Sequence, residues 1–196
     1  MAPALRTLFV LTLMLPLHTA HAELLQLDVC YGFGCKDKAM VILTEKDVSQ
    51  LRVMFDRLTS ADEERAGIRL AIAWMEQIAG RQLPTRNDVA RNFQQGMAGS
   101  GQMDCIDEST NTTGYLAFFQ RQGLLRWHEV VERAFRAPLL LDQHWAAQIR
   151  ERNSKRRYVV DSWINANGEP PLIQPLEDWL SKRPLSPAIS NQIPAR

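Results

Sequence analysis

Apolar and polar positions recur with a helical period in the first half of the chain. Val48, Leu51, Met54, Phe55 and Leu58 fall three and four apart, which predicts one buried helical face. Thr44-Glu-Lys-Asp47 stands just before them and resembles a capping box, with Asp in place of the usual Glu or Gln. A second stripe, Ile68, Ala71, Ile72, Met75 and Ile78, follows the box Ser60-Ala-Asp-Glu63, and Gly80 is placed to end it. Trp74 lies off this stripe and is expected to pack on a neighbouring element. A third helix is expected from Asn87 to about Gln95, then a small-residue loop over Gly96 to Gly101. The run Asn111 to Gln122, with Tyr115, Leu116, Phe118 and Phe119, predicts another helix stopped by Gly123. The texture then changes. Trp127 to Arg133, Leu139 to Arg150 and Arg156 to Trp163 are rich in Val, Ile, Leu and Trp and read as strands, as does the short Val41-Ile42-Leu43. From Gly168 the chain is proline-rich, with one short helical stretch around Leu176 to Leu180. No repeat is present. Helices followed by strands within one domain predict an α+β fold.

The first residues follow a different logic. Leu8 to Leu15 is almost unbroken apolar sequence, Pro16 ends it, and Ala20-His21-Ala22 offers small residues at the two positions a signal peptidase reads. The apolar run is shorter than the ~20 residues that span a bilayer. Residues 1–22 are therefore read as a signal peptide and 23–196 as a single exported domain with its core over about 60–180. The expected location is periplasmic or secreted, with no transmembrane segment once the signal is gone. Removing Arg6 leaves 22 of the 23 Lys+Arg against 22 Asp+Glu. This balance argues against an electrostatic nucleic-acid partner. The basic run Arg150 to Arg157 is expected to be a solvated hairpin turn.

Export changes how the three cysteines are read. Cys30-Tyr-Gly-Phe-Gly-Cys35 is a close pair with two glycines that allow a tight turn. In an oxidising compartment it is expected to be a disulfide, worth about 2–3 kcal/mol for so short a loop. No further cysteine or histidine lies near enough in sequence to make it a zinc site. Cys105 is left over. An odd cysteine is an intermolecular bridge, a buried structural thiol or a reactive one.

The surroundings of Cys105 bear on that choice. It is placed at or just before the start of the central helix, after a glycine-rich turn, where unpaired N–H groups and the helix dipole favour a thiolate. Asp104 and Asp107 oppose that effect by charge and read as capping residues. Only His128 and His144 remain after removal of the leader. His144 and Asp161 lie on the two strands flanking the basic turn. For a turn centred between Arg152 and Asn153, cross-strand partner numbers add to 305, which pairs 144 directly with 161. A centre one residue later makes them diagonal neighbours on the same face. Either places the side chains about 5–8 Å apart at Cβ. A carboxylate can then hold one imidazole nitrogen while the other faces a thiol.

With Asp104-Cys105-Ile-Asp107, then His144-Trp-Ala-Ala, then Tyr158-Val-Val-Asp161-Ser-Trp, the chain resembles the bacterial transglutaminase-like cysteine proteinases, at intervals of 39 and 17 residues. The resemblance covers about residues 60 to 180. It implies a papain-like or transglutaminase-like fold, with N-terminal helices and a Cys-bearing central helix packed on an antiparallel sheet. It also implies a Cys105–His144–Asp161 triad and hydrolysis of protein substrates at the cell surface or in the periplasm. Met103, Ile106 and Glu108-Ser-Thr depart from the family pattern. The calcium site that some members build beside the cysteine would here fall to Asp104, Asp107 and Glu108 as oxygen ligands.

The implied chemistry is acyl transfer, which itself requires no cofactor. The oxyanion would be held by the Cys105 backbone N–H and a second donor, for which Gln102 is a candidate with Gln94 and Gln95 behind it. Water as acceptor gives a protease or amidase, and a lysine amine gives a transglutaminase. The rival expectations are an exported scaffold domain that keeps the fold without the activity, and a structural domain with Cys105 in an intermolecular disulfide.

Overall fold

The computed structural model describes residues 25–92, 100–137 and 143–181. The expected signal peptide, Gln94 and Gln95, most of the Gly96–Gly101 loop and the end of the proline-rich tail lie outside the described residues. The order of elements is β1 (Leu25–Tyr31), β2 (Asp37–Leu43), α1 (Glu45–Phe55), α2 (Ala61–Gln82), a 3₁₀ turn (Pro84–Asn87), α3 (Cys105–Arg121), β3 (His128–Arg136), β4 (His144–Glu151), β5 (Arg157–Asp161), β6 (Leu172–Pro175) and α4 (Leu176–Leu180). The fold is α+β. β1 and β2 form an antiparallel pair, and β3-β4-β5-β6 form an antiparallel sheet in sequence order.

The helical stripes become the core. Ile68, Ala71, Ile72, Met75 and Ile78 of α2 are all buried. They pack with Val48, Leu51 and Phe55 of α1, with Tyr115, Leu116, Phe118 and Phe119 of α3, and with Ala147, Ile149, Tyr158 and Val160 of the larger sheet. Phe55 and Phe119 meet as tilted rings 5.6 Å apart, a favoured aromatic geometry. Trp74 is only partly buried and lies on the edge of the same core. Both predicted caps form. Thr44 and Asp47 make the reciprocal pair that closes the first turn of α1, and Ser60 Oγ accepts from the Glu63 N–H at 3.2 Å.

Alternation in the sheet sends Ala147, Ile149, Tyr158 and Val160 to the main core. Ala146 and Val159 go instead to a smaller cluster with Ala134 and Trp179 of α4. α3 packs against β1, β3 and β4 and so links the two sheets. No helix among the described residues is long and apolar enough to cross a membrane.

The structure departs from the sequence expectations in two places. The third helix does not form over its described part. After Asn87 the chain leaves helical geometry, and Arg91 takes a positive φ of 55°. Its polar groups are engaged elsewhere: Gln102 accepts from the Val89 N–H and the Asn92 side chain and donates to the Asn87 carbonyl, and Asp88 accepts the Met103 N–H. α3 starts at Cys105, as its place at or just before the central helix leads one to expect, and Asp104 sets its first turn. β1 and the first half of β2 were not expected, since their alternation is short and broken by the cysteines.

The expected disulfide between Cys30 and Cys35 is present, and Cys105 is free and half-buried. Thiol counting on denatured, unreduced protein should give one free thiol, located at Cys105 by peptide mapping. Three free thiols, or a bridge to Cys105, would contradict this arrangement.

Candidate active site

Cys105 is the first residue of α3, and the residues around it are arranged to fix that helix start. Asp104 caps it, accepting the N–H groups of Ile106 and Asp107 at 2.9 Å each. Asp107 returns the bond by accepting the Asp104 N–H at 3.2 Å. As the first residue of α3, Cys105 has a backbone N–H without a partner inside the helix. Asp107, fully buried, also accepts the N–H groups of Phe33 at 2.8 Å and Cys35 at 2.5 Å.

Those two donors come from an unusual backbone. Gly32, Phe33, Gly34 and Cys35 have φ of 84°, 71°, 69° and 56° in succession. This turn aims the N–H groups of Phe33 and Cys35 at one carboxylate, while the Gly32 N–H goes to the Gln102 carbonyl. Phe33 and Cys35 adopt this left-handed region against their ordinary preference. Asn111 adds a second tie, accepting from Cys30 N–H and donating to Cys30 carbonyl at 2.7 and 2.8 Å. The disulfide loop is thus fastened to the helix that carries Cys105. The segment leading into that helix is tight as well. Gly101 has φ of 90°, and a Cβ there would lie 2.2 Å from the Pro84 carbonyl oxygen, so only glycine fits.

His144 and Asp161 meet from neighbouring strands. The pairing Ala147 with Val160 places the turn one residue later than the direct register, so 144 and 161 are diagonal. His144 Nε2 and Asp161 Oδ2 are 2.7 Å apart, and both residues are almost fully buried. The imidazole lies between two indoles, Trp163 at 4.7 Å and Trp179 at 5.5 Å between ring centroids. Burial alone pushes the His144 pKa down. Hydrogen bonds to the side chains of Asp161 and Cys105, together with their charges, outweigh it and raise the value to about 9. Asp161 takes Nε2. The other ring nitrogen, Nδ1, is buried and makes no hydrogen bond among the described residues. His144 and Asp161 are bonded to each other, and Cys105 lies near enough for its side chain and charge to act on the ring.

The other sequence-selected residues are engaged differently. His128 is fully buried, with Nδ1 on Glu64 at 2.9 Å and Nε2 on Arg65 at 3.1 Å. Glu64 also accepts the N–H groups of Arg126, Trp127 and His128, so the pair ties α2 to the start of β3. Gln102 is buried, and its amide braces the 87–92 segment, one N–H donating to the Asn87 carbonyl. The expected calcium ligands have other partners. Asp104 and Asp107 are taken up by backbone N–H groups, and Glu108 lies among other carboxyls. Among the described residues no group of three or more His, Cys, Asp or Glu side chains is arranged to hold a metal ion.

Sequence reasoning missed two features. One is Trp179, whose Nε1 donates to Asp161 Oδ2 at 3.0 Å; nothing local marks it. The other is a set of buried acids behind α3: Glu76, Asp88 and Glu108, each at most 3% exposed. Glu76 had a signal, standing four residues after Ile72 on the apolar face of α2. Burial pushes Glu76 up to about 8, with Asp88 and Glu169 adding to it against the Gly168 N–H. Burial likewise pushes Asp88 up to about 7, against the Met103 N–H and the Glu108 carboxyl that bond to it. Glu108 is raised well above its ordinary range by burial and by the charges of Glu76, Asp88, Asp107 and Asp161.

No family model, no curated protein and no solved structure matches the chain. The buried acids generate a test that needs no relative. Glu76 and Asp88 keep protons in the fold that the unfolded chain releases near pH 4, so the unfolded state gains as pH rises through 7 and 8. His144, protonated to about 9, contributes in the same direction. The melting temperature should fall steadily from about pH 5 to about pH 9. Glu108→Gln, which keeps a donor for Asp88, should flatten that fall and raise the melting temperature at pH 8. A melting temperature that rises over this range would contradict the assignment.

Proposed function

We propose that this chain is an exported cysteine hydrolase of transglutaminase-like type, a protease or amidase acting on proteins of the periplasm or cell surface. The observation that carries the reading is the meeting of three distant side chains. Cys105 opens a helix, its side chain interacts with His144, and His144 is held at 2.7 Å by Asp161. The order cysteine on a helix start, then histidine and aspartate on adjacent antiparallel strands, is that of papain-like enzymes, and the α+β architecture is compatible with it. The disulfide and the absence of a membrane-crossing helix among the described residues accord with an exported protein.

The Cys105 thiolate attacks the substrate carbonyl carbon, forming an S–C bond and placing negative charge on oxygen. The backbone N–H of Cys105, which has no partner inside the helix, donates to that oxygen. His144 keeps its proton up to about pH 9 and delivers it to the leaving nitrogen as the C–N bond breaks. Water then attacks the thioester, gives its proton to His144 and releases Cys105. Asp161 bonded to Nε2 leaves Nδ1 as the nitrogen that exchanges protons, and so fixes the tautomer. A lysine amine in place of water would give a transglutaminase.

The test is the rate at which Cys105 is alkylated by a thiol-directed electrophile across pH. Wild-type protein should label fast at this cysteine in neutral solution. His144→Ala should move the labelling profile to higher pH, because the cation that favours the thiolate is gone. Asp161→Asn should lower turnover of a protein substrate by ~10²–10⁴ through a mis-set tautomer. Cys105→Ala should abolish turnover and leave the fold intact. A labelling profile that His144→Ala does not change would mean that the two side chains do not communicate, and the chain would then be a scaffold that keeps the fold alone.

A further inference from the structure

Two indoles flank the His144 ring, and they are not equivalent. Trp163 stacks closer, but its Nε1 donates to the Asn92 carbonyl at 3.3 Å. Trp179 stacks at 5.5 Å and sends its N–H to Asp161 Oδ2, the same oxygen that faces His144 Nε2. The second oxygen, Oδ1, is buried and has no hydrogen-bond partner among the described residues. One carboxylate oxygen therefore carries both ties, and they come from different directions. A carboxylate held by a single donor can tilt about its Cβ–Cγ bond, because rotation there is broad and soft. A second donor from α4 removes that freedom.

Trp179 is itself held firmly. The indole is 1% exposed. Arg136, the cross-strand partner of His144, places its guanidinium 4.3 Å over the indole and donates to the Trp179 carbonyl at 2.5 Å. α4 follows β6 directly, and β6 pairs Leu172 with Asp161. The strand that carries Asp161 and the helix that carries its second donor are thus joined by backbone pairing a few residues away.

We propose that Trp179 is a positioning residue for the Cys105–His144–Asp161 group, its indole N–H fixing the Asp161 carboxylate so that Oδ2 stays on His144 Nε2. The inference rests on the catalytic reading above, but its readout does not. The quantity to measure is solvent exchange of the His144 Nε2 proton, followed by nitrogen-15 NMR. In wild-type protein this proton should exchange slowly and the ring should show one tautomer. Trp179→Phe should speed its exchange by about tenfold, as expected for loss of one buried hydrogen bond, and should slow Cys105 alkylation. Trp163→Phe removes an indole from the same imidazole without touching Asp161, and should leave the exchange unchanged. If Trp179→Phe does not fold, benzothienylalanine at 179, which keeps the ring shape and replaces the N–H by sulfur, makes the same comparison. Unchanged exchange without the N–H, or an equal effect from Trp163→Phe, overturns the proposal. Faster exchange with no change in Cys105 alkylation would support the positioning role and contradict the catalytic reading, so the two failures are distinguishable. Cys105→Ala should retain the slow proton.

Discussion

The buried carboxylate of Asp107 is the constraint on which the site depends. An ionised carboxylate out of water is costly unless several donors surround it, and here three backbone N–H groups do so, from Phe33, Cys35 and Asp104. Burial still holds its pKa up, against those bonds. The same side chain therefore closes the first turn of the helix that carries Cys105 and anchors a loop whose backbone runs through four left-handed residues. The disulfide keeps that loop shut, and Asn111 fixes the strand before it. Without Asp107 the loop would lose the anion its N–H groups face, and the helix would lose half of its capping box. The local order of Cys105 thus comes from residues 70 and more positions away in the chain.

A second constraint comes from the opposite side. His144 and Asp161 are held by strand pairing, by two indoles and by α4. Cys105 and His144 are consequently set by separate parts of the fold, the β1–β2 hairpin with α3 on one side and the four-stranded sheet with α4 on the other. The apolar contacts between α3 and the sheet, Tyr115, Leu116, Phe118 and Phe119 against Ala147, Ile149, Tyr158 and Val160, bring the two parts into register. Close-packed cores tolerate little sliding, so this packing sets how closely the thiol approaches the ring. Among the described residues the other histidine is engaged elsewhere. His128 is enclosed between Glu64 and Arg65 and acts as a brace.

Much of this was legible from residue order. The apolar stripes of α1 and α2 lie where the period placed them, because each helix buries one face and its own sequence carries that information. The diagonal relation of His144 and Asp161 was one of the two registers that the turn allows, since side chains alternate with period two. Asp107 was readable as a cap but not as the anchor of the disulfide loop, because that bond crosses more than 70 residues. The helix expected after Asn87 failed for the same reason: Gln102 and Asp88 bind its polar groups to the approach of Cys105, and no local window contains both. Glu76, Asp88 and Glu108 form one buried acidic group only after α2, the 3₁₀ turn and α3 have packed. Trp179 sits in a five-residue helix with no pattern of its own, and its partner lies 18 positions earlier.

The central claim is that Cys105, His144 and Asp161 act as one unit, and the titration of His144 tests it most directly. Only part of what raises the pKa of His144 comes from Asp161; the rest comes from Cys105. The imidazole should titrate near pH 9 in the wild-type protein, and replacing Cys105 by Ala should move that midpoint clearly downward. A midpoint near the ordinary value of 6.5, or one that Cys105→Ala leaves in place, would contradict the account.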